Sequence, residues 1–328
     1  TASTGLDQFG EQSSQLHAFL YRQGTLIDLG ALLPAGTNSS GVSINGWGEV
    51  LGSYTTSTVS DAFLYRNGKL RLLPESLATL DLNDLGEIVV RSESGAASVR
   101  RPDGTLVPVP DSQYPPLGNQ NPHGYNILEP RAMNDLSQIV CRDFAPATAN
   151  QPETDYDFVN NVILLQPGGA DQIVASSSLD NYCFPTAMNI LGQSVGYNVS
   201  LYFNTSYGDF FYDGGIAALY TGGKSISLGS LHPAALAGGV PASSAAKGVN
   251  NFGIIVGLSE TSDYPENATA GFIYLNGTMY NLNDLVNTTA SGLTITEAQG
   301  INDLGQIVAT AIDASGSEHA VILTPEFR

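Results

Sequence analysis

Charge is scarce in this sequence, and positive charge scarcest of all. Only 13% of residues are charged, 12 Lys and Arg stand against 31 Asp and Glu, and the net charge at pH 7 is −19. Lysine occurs three times, at Lys69, Lys224 and Lys247. A chain so acidic repels phosphate backbones and anionic membrane surfaces, so nucleic acid is not expected as a partner. Cysteine occurs twice, at Cys141 and Cys183. Two are too few for a disulfide scaffold or a zinc site. No apolar run approaches the roughly 18 residues that a membrane-spanning helix needs, so no membrane span is expected. The acidity raises the question of calcium, and Asp81-Leu82-Asn83-Asp84-Leu85-Gly86 comes nearest to an EF-hand loop. That loop type would need Asp or Asn at Leu85 and Glu at Ser92, so the segment reads as a hairpin turn. No metal and no cofactor is expected. The sequence opens at Thr1 without a signal-peptide pattern, as expected of a mature or a cytosolic chain.

Glycine and proline are plentiful instead, at 36 and 17, beside 42% hydrophobic residues. That is the composition of a folded, turn-rich β protein. One motif recurs: an apolar residue, Asn, two residues, Gly, one residue, then β-branched residues. It reads Ile44-Asn45-Gly46-Trp47-Gly48-Glu49-Val50 and Leu82-Asn83-Asp84-Leu85-Gly86-Glu87-Ile88. It returns at Asn134, Asn189, Asn250 and Asn302, and a degenerate copy opens the chain with Asp7 in place of Asn. The fourth copy carries Ser137 in place of Gly. Seven copies result, stepping by 38, 38, 51, 55, 61 and 52 residues. An Asn side chain can bond to backbone two residues on. Gly at the fourth position takes the positive φ of a type I turn with a G1 bulge. Each copy therefore predicts a hairpin of two strands, A and B.

A strand C follows each hairpin, clearest at His17-Ala18-Phe19-Leu20-Tyr21 and Asp61-Ala62-Phe63-Leu64-Tyr65. In most copies a strand D comes next, as in Gly24–Leu29 and Gly68–Leu73, but the seventh copy ends at Arg328 before one. Four short strands cannot bury their apolar faces alone, whereas stacking such units around an axis does bury them. The expectation is an all-β, seven-bladed β-propeller of short four-stranded antiparallel blades with an incomplete terminal blade. It is expected to form one domain, 1–328, with repeats starting near 1, 41, 79, 130, 185, 246 and 298. A linear β-solenoid is the alternative.

The combination His-Ala-Phe-Leu-Tyr, then Gly-x-x-x-Asp-Leu-Gly, then Ile-Asn-x-x-Gly-x-Val-x-Gly resembles the HAF family of extracellular repeat proteins. Copies one and two match best, copy six well, and copies three to five loosely. The resemblance implies a secreted or surface-exposed protein and brings no activity and no catalytic residues.

Several residues invite a chemical reading. Gly192-Gln193-Ser194-Val195-Gly196 matches the nucleophile-elbow pattern, but it falls on strand B of the fifth repeat rather than on a strand-to-helix turn. His17 and His319 share one repeat slot and read as structural. His123 and Tyr125 lie in a Pro-rich insertion near Arg131, where proton transfer on a polysaccharide competes with a plain surface loop. The insertion 197–212 holds seven aromatics, among them Tyr202, Tyr207 and Tyr212. It reads equally as a contact surface for sugars or proteins and as extra strands on a blade edge. Cys141 and Cys183 are expected to form a disulfide between neighbouring blades. Six Asn-x-Ser/Thr sequons, at Asn38, Asn198, Asn204, Asn267, Asn276 and Asn287, lie in predicted loops or turns and would permit glycosylation.

Three functions stay open. The leading one is a secreted, non-catalytic propeller serving as a binding, adhesion or matrix module, with a glycan or a protein surface as partner. The second is a glycan-active lyase or hydrolase with its site in the channel or on one rim. The third is a structural subunit that self-associates into an extracellular polymer.

Overall fold

The computed structural model describes residues 5–6, 12–13, 16–73, 78–91, 97–109, 128–146, 158–167, 171–176, 181–204, 209–212, 215–232, 242–262, 268–286 and 292–326. The chain divides into two compact units, Thr1–Gln113 and Tyr114–Arg328. Both are built from antiparallel sheets whose strands pair in sequence order.

In the first unit, repeat two forms a four-stranded sheet from Asn38–Ile44, Val50–Thr55, Ser60–Arg66 and Lys69–Leu73. Repeat three does the same with Ala78–Leu82, Ile88–Arg91, Ala97–Arg100 and Leu106–Pro108. In the second unit, repeat four comprises Leu128–Met133, Ile139–Pro146, Phe158–Leu165 and Gln172–Ser176. Repeat five comprises Asn181–Met188, Ser194–Asn204, Ile216–Thr221 and Lys224–Gly229, with Asp209–Tyr212 as a fifth strand. Repeat six runs through Ser244–Val249, Ile255–Glu260, Thr269–Leu275 and Thr278–Asn281, then a single helical turn, Leu282–Leu285. Repeat seven has three strands, Thr294–Ile301, Ile307–Ile312 and Glu318–Leu323. Among the described residues no helix is long and apolar enough to cross a membrane.

The expectation of seven blades is corrected to six. Among the described residues repeat one supplies no four-stranded sheet. Its pieces are a pair of two-residue strands, Gly5–Leu6 with Gln12–Ser13, and a separate hairpin, Phe19–Arg22 with Thr25–Asp28. Two residues per strand form too short a ladder to carry a blade. The hairpin instead covers the next sheet, placing Ala18, Leu20, Leu29 and Leu33 against Val50, Tyr54, Phe63 and Tyr65 of repeat two.

Successive side chains of a strand point to opposite faces, which is how one blade packs against two neighbours. In repeat two, Val50 faces repeat one while Leu51 joins Ala62, Leu64 and Leu73 against Leu82, Ile88 and Val90 of repeat three. The same division recurs in repeat six. There Ile255 and Phe272 pack with Val195 and Ala217 of repeat five, and Val256 packs with Ile295, Ala298 and Ile307 of repeat seven. Strand B is therefore apolar at consecutive positions.

Every strand A in the six blades is interrupted by a β-bulge three residues before the motif Asn. The unpaired residues are Val42, Leu80, Arg131, Thr186, Lys247 and Gln299. A bulge twists an edge strand away from further pairing. Near the bulge of repeat five the chains also close up, since a Cβ on Gly196 would lie 1.9 Å from the Phe184 carbonyl oxygen. Gly196 is thus fixed by strand packing, as is Gly257 in repeat six, where the distance is 2.0 Å to the Ala245 carbonyl oxygen.

The motif Asn is buried in five of the six blades. The Asn189 Oδ1 accepts the N–H of Leu191 and of Gln193, each at 3.1 Å. Its Nδ2 donates to Gln193 Oε1 at 2.8 Å and, across to the next blade, to the Asn250 carbonyl at 3.0 Å. Asn134 bonds the Asn189 carbonyl at 3.1 Å, Asn250 bonds the Asn302 carbonyl at 3.2 Å, and in the first unit Asn45 bonds the Asn83 carbonyl at 3.1 Å. Asn302 is exposed and donates to Gln306 Oε1 at 2.9 Å, with no onward turn among the described residues. The Asp at position 7 has no side-chain N–H to donate in this way.

Two outcomes follow for stability. Asn189→Ala strands buried donors and acceptors, each costing about 1–3 kcal/mol. We expect a loss of ~2–4 kcal/mol, clearly more than for Asn302→Ala, measured by denaturant unfolding; equal losses would contradict the bridging role. Ser137 sits where the other copies have Gly and takes φ +58°. Left-handed backbone costs a non-Gly residue roughly 1–2 kcal/mol, so Ser137→Gly is expected to raise the thermal midpoint by ~2–4 °C.

Candidate functional site

Each A–B turn spans five residues, numbered here from the motif Asn as one to five. Position one caps the turn through its side chain, and its carbonyl accepts the N–H of position four, as in Gly48 to Asn45 at 3.0 Å and Gly192 to Asn189 at 3.1 Å. The glycines at position four have φ near +75°. These bonds consume the backbone and the Asn but make no demand on the side chain at position three.

That side chain is nevertheless large and apolar in all six blades. It is Trp47 and Leu85 in the first unit, and Leu136, Leu191, Phe252 and Leu304 in the second. All six are exposed, from 55% for Leu136 to 75% for Phe252. None belongs to a core cluster. The fold supplies its own control. The B–C turn of repeat seven, Asp313-Ala314-Ser315-Gly316, makes the same backbone bonds, with Asp313 Oδ1 accepting from the N–H of Ser315 and of Ser317. A serine there serves as well, so the turn does not require a hydrophobe at position three.

Neighbouring turns are joined at their tips. In the second unit the Ile190 N–H donates to Asn251 Oδ1 at 2.9 Å, and the Asn251 N–H donates to Asp303 Oδ1 at 2.8 Å. In the first, the Gly46 N–H donates to Asp84 Oδ1, and Trp47 Nε1 donates to the Asp84 carbonyl at 2.9 Å. Leu136, Leu191, Phe252 and Leu304 therefore ride on a continuous row of turns. The surrounding turn positions carry Asp135 and Asp303 and no Lys or Arg.

The bulge residues make a second series, but Arg131, Thr186 and Lys247 among them are engaged. Arg131 pairs with Glu129 at 2.5 Å, Lys247 with Glu297 at 3.3 Å, and the Thr186 hydroxyl donates to the Ala246 carbonyl at 2.8 Å. Among the described residues no group of three or more His, Cys, Asp or Glu could hold a metal ion.

The expected disulfide is overturned: Cys141 and Cys183 are buried and form no disulfide. Asn160 on strand C of repeat four grips the Cys183 backbone, accepting its N–H at 2.8 Å and donating to its carbonyl at 2.5 Å. Asn160 pairs with Phe144, three residues along strand B from Cys141. Cys183 packs with Val140, Val162 and Leu164 of that sheet, whereas Cys141, the residue after Val140 on strand B, points to the opposite face. Cys183 lies six residues before the motif Asn, the slot that Ser39 and Ser244 fill in repeats two and six. Those serines also bind the preceding repeat, accepting from the N–H of Ala18 and of Ala217. Burial pushes the Cys183 thiol up to about 11, against a smaller opposing pull from Arg142.

The remaining candidates separate. Ser194 is buried, and its hydroxyl donates to the Ala187 carbonyl at 3.0 Å, as a strand residue rather than a nucleophile on an elbow. His17 lies 2.9 Å from Asp28 and His319 lies 3.0 Å from Asp313. The aromatic insertion forms an added hairpin in which Tyr202 pairs with Phe211 and Leu201 with Tyr212. Tyr207, His123, Tyr125, Asn267 and Asn287 lie outside the described residues. Asn38 caps the Leu16 N–H at 3.0 Å, Asn198 bonds the Ser225 hydroxyl at 2.7 Å, Asn204 pairs with Asp209, and Asn276 sits in a turn at φ +52°.

Comparison with known proteins bears on the fold and family. A family model described as protein of unknown function (DUF3466) matches residues 147–322, just over half of the chain. No curated protein is detectably similar in sequence. Among solved structures, the β-propeller domain of the Trilobed protease from Pyrococcus furiosus, described as having an open velcro topology, aligns with a TM-score of 0.51. It does so at 11% identity over 87% of this chain and 81% of its own. The chain is an all-β propeller of antiparallel, mostly four-stranded blades.

Thiol titration checks the cysteines. Unreduced native protein at pH 8 should expose no reactive thiol, since the Cys183 proton is lost only as pH rises toward about 11. Guanidinium should release two thiols, one each from Cys141 and Cys183, without added reductant. Finding none after denaturation would restore the disulfide.

Proposed function

The chain belongs to the DUF3466 family of proteins of unknown function, and we propose that it is a non-catalytic propeller that binds a protein surface through the exposed apolar tips of its A–B turns. The observation that carries this reading is the row formed in the second unit by Leu136, Leu191, Phe252 and Leu304 at position three, 55–75% exposed on turns whose backbone bonds recur around Ser315. Exposed apolar side chains scattered singly need no explanation, but contiguous rows mark interaction surfaces. Leucine and aromatic side chains presented on a rigid scaffold make low-entropy anchors of the kind that dominate binding energy.

The resemblance to extracellular repeat proteins supports placing this module outside the cytoplasm as an adhesion or matrix component. The Tyr202–Tyr212 hairpin is a second, separate contact element in the same unit. Tyrosines there would add flat amphipathic area for glycan or protein.

Selection from a random peptide library against the immobilised chain tests the reading. A family of peptides should be enriched on the wild type and lose binding to the triple variant Leu191→Ser/Phe252→Ser/Leu304→Ser, whose β circular-dichroism spectrum should be unchanged. Enriched peptides that bind the variant equally well would remove the tips from the function.

A further inference from the structure

We propose that the arc formed by Leu136, Leu191, Phe252 and Leu304 receives a cationic amphipathic polypeptide segment. The inference rests on the reading of the tips as a binding surface and adds the chemistry of what binds there.

Shape comes first. The four turns are joined in series by the Asn134-to-Asn189, Asn189-to-Asn250 and Asn250-to-Asn302 side-chain bonds. Packed sheets stand at most about 10 Å apart here, so the four apolar tips span no more than roughly 30 Å. A helix of up to about 20 residues covers that length and presents one apolar stripe. A strip this narrow falls at the small end of specific interfaces, which suits a micromolar, reversible complex.

Charge then selects among occupants. The unit Tyr114–Arg328 holds 19 Asp and Glu against five Lys and Arg. Of those cations, Arg131 and Arg142 approach Glu129, and Lys247 pairs with Glu297. The four turns themselves contain Asp135 near one end of the arc, Asp303 at the other, and no basic residue. Asp303 already accepts both the N–H and the Nδ2 of Asn251, so it is held in place rather than free to swing away. A second copy of the chain would bring its own −19 to this face. An anionic bilayer or a nucleic acid would be repelled in the same way. A basic segment is attracted over several ångströms before the apolar stripe docks, and this should show mainly as salt-dependent association.

The test uses the full chain and synthetic helical peptides of about 18 residues with one leucine stripe and a second face of Lys, Gln or Glu, titrated by calorimetry. The Lys peptide should bind in the micromolar range, and at least about tenfold more tightly than the Gln peptide. Raising NaCl from about 50 to about 500 mM should erase most of that advantage. The triple Ser variant should bind the Lys peptide about tenfold or more weakly, and Phe252→Ser alone, which disturbs one turn only, severalfold more weakly. Equal binding of the Gln and Lys peptides, lost in the variants, would overturn the cationic partner while leaving the tips as a binding surface. Lys-peptide binding that survives the tip substitutions would overturn both. Tip-dependent sedimentation with phosphatidylcholine vesicles, or a tip-dependent dimer in velocity sedimentation, without peptide binding would overturn the polypeptide in favour of a lipid or a second copy.

Discussion

The protein rests on one side chain used repeatedly, the asparagine that opens each A–B turn. Its Oδ1 organises its own turn and its Nδ2 reaches the carbonyl of the next blade's asparagine. A buried amide is costly unless its hydrogen-bonding capacity is filled. Here the filling partner lies on another blade, so satisfying the group and joining two blades are one event. Neither aspartate, which has no N–H, nor serine, which is too short to serve both sides, can do this. Apolar packing supplies most of the attraction between sheets but little direction. The amide bond is directional and fixes which turn stands beside which.

That constraint also shapes the surface. Because the Asn ladder holds the turn tips side by side, whatever stands at position three is displayed as a row. In the second unit the sequence places Leu136, Leu191, Phe252 and Leu304 there. The core does not use them, and the Ser315 turn shows that the backbone does not need them. An apolar residue kept in all four of these turns without a folding reason is best understood through what the row touches. The acidity of the chain narrows that to something positively charged.

Much of this was legible in the sequence, because the Asn-x-x-Gly turn has local chemistry that needs no tertiary context. The hairpins, strand C and the propeller class followed from it. Three features did not follow. The bulge three residues before each Asn was hidden, since one inserted residue leaves strand A still reading as an alternating strand. Repeat one carried the clearest strand C, at His17–Tyr21, and so suggested a seventh blade, but its A and B strands are only two residues long. The two cysteines were correctly placed on neighbouring repeats. Their mismatch came from facing, since Cys183 packs against the Val140 side of the repeat-four sheet and Cys141, next along that strand, points to the other side. The apolar row was visible all along as an unusual residue class for a turn. It reads as part of the strand pattern until exposure separates it from the core.

The most direct measurement of the central claim is hydrogen exchange of the asparagine side-chain amides, followed by NMR on the folded protein. The Nδ2 protons of Asn134, Asn189 and Asn250 should exchange orders of magnitude more slowly than those of Asn302, which makes no onward bond among the described residues. Uniformly fast exchange at all four would show that the amides do not bridge the blades, and the account of both the ladder and the row it displays would fail.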